Sequence, residues 1–508
     1  MKLIHQRLIS VCLTGVAFCT TAPSEGKAPD KKKPDERKPN VIYILADDMG
    51  YGDISALNPQ SKIKTPTLDS LVRNGVSFTN AHSNSAVSTP TRYGILTGRY
   101  CFRSRLKAGV LVGYDRPLIE EDRPTVANLF KSRGYHTACI GKWHLGLNYE
   151  KVNTNRPLTE GDPWGVLNSS NVDYSKPITG GPKACGFDYS YIIPSSLDIA
   201  PYLFIRDEKI TGEKVSAQPS WSDKSSRGRW YRGGDVASDF KHSEVLENLV
   251  NDAKSFINNK AKSDSAFFLY LALTSPHTPW LPSEKFLGKS GAGAYGDFVM
   301  MTDAMVKEIA EACKKQGIDD NTMIIFASDN GSHWLPSDIQ QYQHESNHGT
   351  SGMKGDVWDG GHRIPLIVYW PNSTKKGASV DKIVCTTDLF ATCAELLGSK
   401  LSDNEAEDSF SMLTLISSKF QRKEPHRTSI IHHGVNGDFG IREGRWKYID
   451  CKGSGGWSSK GADNAPEAQL YNIEADPLEK NNLILQHPKI AKRLKALLKK
   501  QKADNKSR

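Results

Sequence analysis

Three stretches of the chain are apolar at nearly every position and then stop on polar residues. Val41-Ile42-Tyr43-Ile44-Leu45-Ala46 gives way to Asp47-Asp48, and Phe267-Phe268-Leu269-Tyr270-Leu271-Ala272-Leu273 leads to Ser275-Pro276-His277. Met323-Ile324-Ile325-Phe326-Ala327-Ser328 ends at Asp329-Asn330-Gly331. A strand with one wet face alternates, whereas a continuous apolar run is covered on both faces. Helical spacing falls between these runs, near residues 125–130 and 305–309. The pattern predicts an α/β fold. Ligands of such folds collect beyond the carboxyl ends of the strands, where the three polar clusters stand.

Elsewhere the pattern weakens. From about residue 148 to 241 the chain is rich in Pro, Gly, Ser and aromatic residues without clear periodicity, which predicts long loops over the active face. Tyr189, Tyr191, Tyr202, Trp221, Trp230 and Tyr231 lie there, suited either to sugar contacts or to packing loop against loop. Lys419, Arg422, Lys423, Glu424 and Pro425 mark a boundary, dividing a catalytic domain (39–422) from a C-terminal subdomain (423–508). The latter shows short strand-like pieces, Ser429-Ile430-Ile431 and Arg445-Trp446-Lys447-Tyr448-Ile449. A terminal helix follows, with Ile490, Leu494, Leu497 and Leu498 on one side.

Lys2, His5 and Arg7 precede a short apolar run from Leu8 to Phe18, the layout of an export signal over residues 1–22, followed by a flexible linker over 23–38. The run is too short for a comfortable membrane span, and no later segment reads as one. The expected location is outside the cytoplasm, in the periplasm of a Gram-negative bacterium. Cys19 leaves lipid anchoring open, and secretion is a further route. Of nine cysteines, seven lie beyond the leader, so at least one thiol stays unpaired. Cys139, Cys385 and Cys393 sit in apolar surroundings that suit packing. The net charge of +9 comes partly from the linker and the Lys-rich C-terminal end. It reads as solvated surface, and no nucleic-acid recognition motif accompanies it.

The chemistry concentrates in a few places. Asp47, Asp48, Asp329 and Asn330 offer hard oxygen ligands at two strand ends, and a divalent cation resolves the repulsion of converging carboxylates. An all-oxygen set favours calcium or magnesium over zinc. Gly141-Lys142-Trp143-His144 places Lys142 and His144 on one face if the segment is extended. His277 stands in a Pro-restricted loop, and Lys354 lies between glycines in Gly352-Met353-Lys354-Gly355. His362, in Gly360-Gly361-His362-Arg363, reads as support for a local turn.

Ser88-Thr89-Pro90-Thr91-Arg92, with Leu96-Thr97-Gly98 downstream, resembles the signature read by enzymes that make formylglycine in sulfatases. Together with the strings around Asp47, Lys142, His277 and Asp329, with Lys354, and with Leu470-Tyr471-Asn472-Ile473-Glu474-Ala475-Asp476-Pro477, the chain resembles the type I sulfatases of the alkaline-phosphatase-like superfamily. The resemblance covers most of residues 40–480. It implies a sandwich around a large, mostly parallel central sheet, plus a smaller α+β subdomain with a short antiparallel sheet and a terminal helix. It also implies one calcium ion on Asp47, Asp48, Asp329, Asn330 and matured Ser88, with magnesium as the substitute. Arg92 and Lys142 would hold the formylglycine hydrate, Lys354 and His277 would grip the sulfate, and His277 would protonate the leaving sugar oxygen. His144 would deprotonate the second hydroxyl after sulfate transfer.

Many members of that family carry Cys at the position of Ser88, so a serine implies a serine-competent, anaerobic-type maturase. The segment from Ser195 to Tyr202 and Arg232-Gly233-Gly234 look like those of bacterial polysaccharide sulfatases of the N-acetylgalactosamine-6-sulfatase type. They imply a galactose or N-acetylgalactosamine sulfate ester in a glycan, 6-O before 4-O. The competing readings are a phosphomonoester or phosphonate hydrolase on the same scaffold, and an inactive sulfoglycan-binding homologue.

Overall fold

A computed structural model of the chain describes residues 38–508 apart from 162, 163, 165–169, 225 and 422–424. The expected leader, nearly all of the linker and the 422/423 boundary therefore lie outside the described residues. The central sheet has ten strands: β1 (Asn40–Asp47), β2 (Val76–Phe78), β3 (His136–Lys142), β4 (Tyr189–Ile193), β5 (Ile205–Arg206), β6 (Lys209–Ile210), β7 (Phe267–Pro276), β8 (Thr322–Ser328), β9 (Leu366–Tyr369) and β10 (Ala378–Val380). Their order across the sheet is β10-β2-β9-β8-β1-β7-β3-β4-β5-β6. The middle five, β8-β1-β7-β3-β4, run parallel, while β9 and β5 turn antiparallel on either side. Every residue of β1, β7 and β8 is buried, as their unbroken apolar runs require.

Four longer helices flank this sheet: α1 (Pro66–Asn74), α2 (Ser88–Thr97), α3 (Val245–Lys260) and α4 (Gly293–Lys315). α3 and α4 bury the Leu249, Val250 and Phe256 side and the Phe298, Val299 and Ile309 side of their helical repeats. α2 differs. All ten of its residues are buried, and it ends at Gly98 in the left-handed conformation (φ 64°).

The aromatic-rich stretch is more ordered than its lack of periodicity predicts. Tyr189–Ile193 joins the central sheet as a parallel strand, and Val215–Gln218 pairs with Gly234–Ala237 in a separate ribbon. Tyr191 stacks on Phe204 and Tyr189 on Phe256, while Tyr202 buries its ring and donates its hydroxyl to the Arg232 carbonyl. Those three tyrosines hold the loops together.

After residue 424 come β11 (Ser429–His433), β12 (Phe439–Glu443), β13 (Trp446–Ile449) and β14 (Gln469–Asn472), a four-stranded antiparallel sheet, and then helix α5 (Pro488–Ala503). Leu494 and Leu498 of α5 pack on Ile430, Ile441 and Leu470, in one core with Tyr100 and Phe102 just beyond α2. The seven cysteines beyond the leader are free thiols. No helix among the described residues is long and apolar enough to cross a membrane.

The seam between this small sheet and the main body is polar and buried. Lys447 Nζ lies 2.7 Å from Asp359 Oδ1 and 2.6 Å from Glu479 Oε1. Beside it, His362 stacks on His432 with ring centroids 3.8 Å apart, and His362 Nδ1 lies 3.0 Å from His82 Nδ1. His362 Nε2–H donates to the Val357 carbonyl at 2.9 Å, which supports the local turn. Burial holds all three imidazoles below their ordinary range, His362 at about 3. The unfolded chain therefore binds these protons first, and the histidines' contribution to stability falls as pH drops below about 6.5, while the Glu479 carboxyl, pushed up to about 7 by burial, contributes in the opposite sense over the same range. His362 alone contributes a loss of up to about 2 kcal/mol between pH 6.5 and pH 5. Over that interval the urea midpoint of wild type is expected to drop relative to that of His362→Gln, which keeps a donor for Val357 and removes this histidine's share of the loss. Equal slopes in both proteins would remove His362 from the account.

Candidate active site

The parallel strands deliver their polar ends to one place. β1 ends at Asp47, and Asp48 follows in the left-handed conformation (φ 67°), which L-residues seldom adopt without cause. Asp329 extends β8 beside β1, its N–H donating to the Ala46 carbonyl. Its Oδ1 accepts the Asp48 N–H at 3.1 Å. β3 delivers Lys142, and β7 leads through Pro276 to His277. Gly141, at φ 117°, lets β3 lie against β7: a Cβ there would sit 1.8 Å from the Ala272 carbonyl oxygen.

Ser88 is the first residue of α2, so its hydroxyl sits at the positive end of a helix with no side-chain cap. Lys142 Nζ is 3.4 Å from Ser88 Oγ and 2.7 Å from Asp47 Oδ2. One turn along α2, Arg92 places Nη2 2.8 Å from Asp329 Oδ2 and 3.6 Å from Asp47 Oδ1, and donates Nη1–H to the Lys142 carbonyl. Lys354 Nζ lies 2.7 Å from Asp48 Oδ2, and His277 Nε2 lies 3.6 Å from the same oxygen.

His144 reaches Ser88 differently from the way an extended segment would carry it. The strand stops at Lys142, and His144 turns into the left-handed region (φ 54°). Its Nε2–H donates to the Leu111 carbonyl at 2.8 Å, which leaves Nδ1 to accept from Ser88 Oγ at 2.9 Å. Burial, with Lys142 and Arg92 nearby, keeps this imidazole well below its usual range and so neutral. The candidate catalytic and cation-binding residues thus meet, while His362 lies in the seam, although Gly361 beside it accepts the Gly331 N–H at 2.9 Å.

The charges are crowded: three carboxylates face three cationic side chains, out of water. Burial works to raise the Asp47 carboxyl, but Lys142, His277 and Arg92 outweigh it and keep it ionised. Burial likewise opposes Asp48, where Lys354 and His277 prevail. Asp329 is pushed up to about 7, by burial and by the charge of Asp47. Two oxygens stay buried without a hydrogen-bond partner, Asp47 Oδ1 and Asn330 Oδ1, the latter because the Asn330 amide donates to Asp48 Oδ1 at 2.7 Å. Orphaned oxygens beside a carboxylate under strain fit a hard divalent cation, calcium or magnesium, held by Asp47, Asp48, Asp329 and Asn330.

Asp198 had no assigned role in the sequence, because nothing in its loop repeats. It lies buried 3.9 Å from His277 Nδ1 and accepts from Arg232 Nη1 at 2.7 Å. Burial acts to raise its carboxyl, yet His277, the Ser196 hydroxyl and Arg232 hold it below the usual range. The acid stands beside His277, with Arg232 more exposed.

Comparison with known proteins agrees with this geometry. The sulfatase family matches residues 39–399, and the N-sulphoglucosamine sulphohydrolase C-terminal family matches residues 353–505. An N-acetylgalactosamine-6-O-sulfatase of Bacteroides thetaiotaomicron is 32% identical over 96% of this chain and 97% of its own length. Human arylsulfatase A is 29% identical over 88% and 84% of the two chains. A solved structure from Bacteroides thetaiotaomicron, described under the metabolism of multiple glycosaminoglycans, superposes with a TM-score of 0.78. It has 30% identity and covers 92% of this chain and all of that one.

A cation that binds only the folded site stabilises it by an amount that grows with the logarithm of its concentration over Kd, about 2.7 kcal/mol at a hundredfold excess. Chelation is therefore expected to lower the melting temperature by several degrees, and added calcium should restore it. Asp47→Asn should abolish most of that response. A melting curve indifferent to chelator would remove the cation from this site.

Proposed function

The chain belongs to the sulfatase family and is a sulfuric ester hydrolase, and from that premise we propose that it removes 6-O-sulfate from a terminal galactose or N-acetylgalactosamine unit of a glycan. The observation that carries this reading is the meeting of Ser88, Lys142, His144, Lys354 and His277 around the Asp47–Asp48–Asp329–Asn330 oxygens. The substrate follows the relative that matches nearly the whole chain and acts on N-acetylgalactosamine 6-sulfate by its name.

Once Ser88 is converted to formylglycine and a divalent ion is bound, the site gains a geminal diol to attack sulfur and a double positive charge for sulfate oxygens. The chain's own residues do the rest. Lys142 holds a positive charge beside the oxygen at position 88 and favours its ionised form. His144, neutral and fixed by Leu111, takes a proton at Nδ1 from that same position. Lys354 presents its ammonium to the sulfate oxygens from the Asp48 side. His277 commits Nδ1–H to the Thr278 carbonyl at 2.6 Å, so the proton for the departing sugar oxygen comes from Nε2–H of the imidazolium form, which the Asp48 and Asp198 carboxylates flank on either side, and the ring is left neutral. With three carboxylates facing three cationic side chains, a bound divalent ion would leave the site positive, and the single negative charge of a sulfate monoester would offset part of that excess.

Conversion of Ser88 falls to a serine-competent maturase, and the leader supports export to the periplasm of a Gram-negative cell. Matured enzyme should release sulfate from 6-O-sulfated sugars well ahead of matched 4-O-sulfated ones. The peptide spanning Ser88 should be lighter by two hydrogens in active samples. His144→Ala or Lys142→Ala should lose about 10²–10³ in kcat. Release of phosphate but not sulfate by matured enzyme would select the phosphoester reading. Binding without turnover would select the inactive homologue.

A further inference from the structure

Three large aromatic side chains near the open face are among the exposed hydrophobic residues, and their surroundings differ. Trp221 stacks on Tyr231 at 5.4 Å, and Trp164 has the Arg232 guanidinium 5.4 Å from its ring. Trp457 is half exposed, at 50%. It stands in the loop that connects β13 to β14, far in sequence from the catalytic strings.

One face of the Trp457 indole rests on bare backbone. Gly355, in the left-handed conformation (φ 92°), is so close that a Cβ there would lie 2.9 Å from indole carbons. Gly355 adjoins Lys354, and its N–H donates to the Ala86 carbonyl, two residues before Ser88. The His333 ring meets the indole at a steep angle, 5.6 Å between centroids.

The loop that carries the indole is fastened rather than loose. Buried Asp356 accepts the Trp457 N–H at 2.8 Å and the Ser458 N–H at 3.1 Å on one oxygen, while its other oxygen accepts the Ser458 hydroxyl and the Met353 N–H at 2.8 Å. A rigid backbone thus holds a large apolar ring beside the sulfate-gripping lysine, with one face supported and the remainder in water. Leaving that apolar area wet costs free energy that a ligand with a flat apolar face recovers. A pyranose ring has such a face of C–H groups, and its hydroxyls would meet the polar rim.

We propose that Trp457 is the stacking platform for the sugar ring next to the sulfated residue, so that the enzyme reads an oligosaccharide end and not a monosaccharide alone. This rests on the glycan-sulfatase reading above. The test compares matured wild type, Trp457→Ala and Trp457→Phe on N-acetylgalactosamine 6-sulfate and on a tetrasaccharide that ends in it.

The expected result is a loss of about tenfold in kcat/KM on the tetrasaccharide for Trp457→Ala, equivalent to about 1.4 kcal/mol. On the monosaccharide the change should stay within about twofold, and Trp457→Phe should recover most of the loss. Equal losses on both substrates, or none on the tetrasaccharide, would overturn the platform. Wild type inactive on both would instead sink the substrate reading, and the platform with it.

Discussion

Charge crowding at the ends of β1, β3 and β8 governs the rest of the structure. Asp47, Asp48 and Asp329 lie out of water within reach of one another, an arrangement whose desolvation alone would drive protons onto them. Arg92, Lys142 and Lys354 offset that cost, each from a different element: a buried helix, a strand end and a glycine-flanked loop. The balance is incomplete, as Asp329 and the two orphaned oxygens show. Incomplete compensation is what a binding site for a cation and an anion needs, because a fully paired cluster would have no affinity left for either.

Much of this was legible because each catalytic string ends a strand or opens a helix. The apolar runs of β1, β7 and β8 told which strands are central, and residues just past a buried strand end can only face the carboxyl edge of the sheet. The meeting of the strings was not written in periodicity. It depends on crossovers that bring residues 47, 88, 142, 277, 329 and 354 together, and only the order of the motifs carried that information.

Where the reading went astray, tertiary context had replaced local pattern. Tyr189–Ile193 was hidden because a five-residue strand bounded by loops has too few positions to show alternation. Lys142 and His144 converge on Ser88 through a left-handed turn and not through strand alternation. Asp198 lay inside the Ser195–Tyr202 segment without a role of its own, and Trp457 stood outside every motif: their meaning lies in neighbours 79 and 124 residues away, His277 and His333, at spacings no motif records. Of the six aromatic residues read as suited either to sugars or to packing, Tyr189, Tyr191 and Tyr202 take the packing role.

Ser88 and Arg92 are both sealed inside the folded protein, in a helix with no exposed residue. Any catalyst that oxidises Ser88 while reading its neighbours must therefore meet the polypeptide before that helix docks. Folding and conversion then compete in time, and a molecule that wins the first race too early is a stable, permanently silent product. Under the proposed conversion of Ser88, the fraction of working enzyme is set by chronology during synthesis, upstream of anything the finished site does.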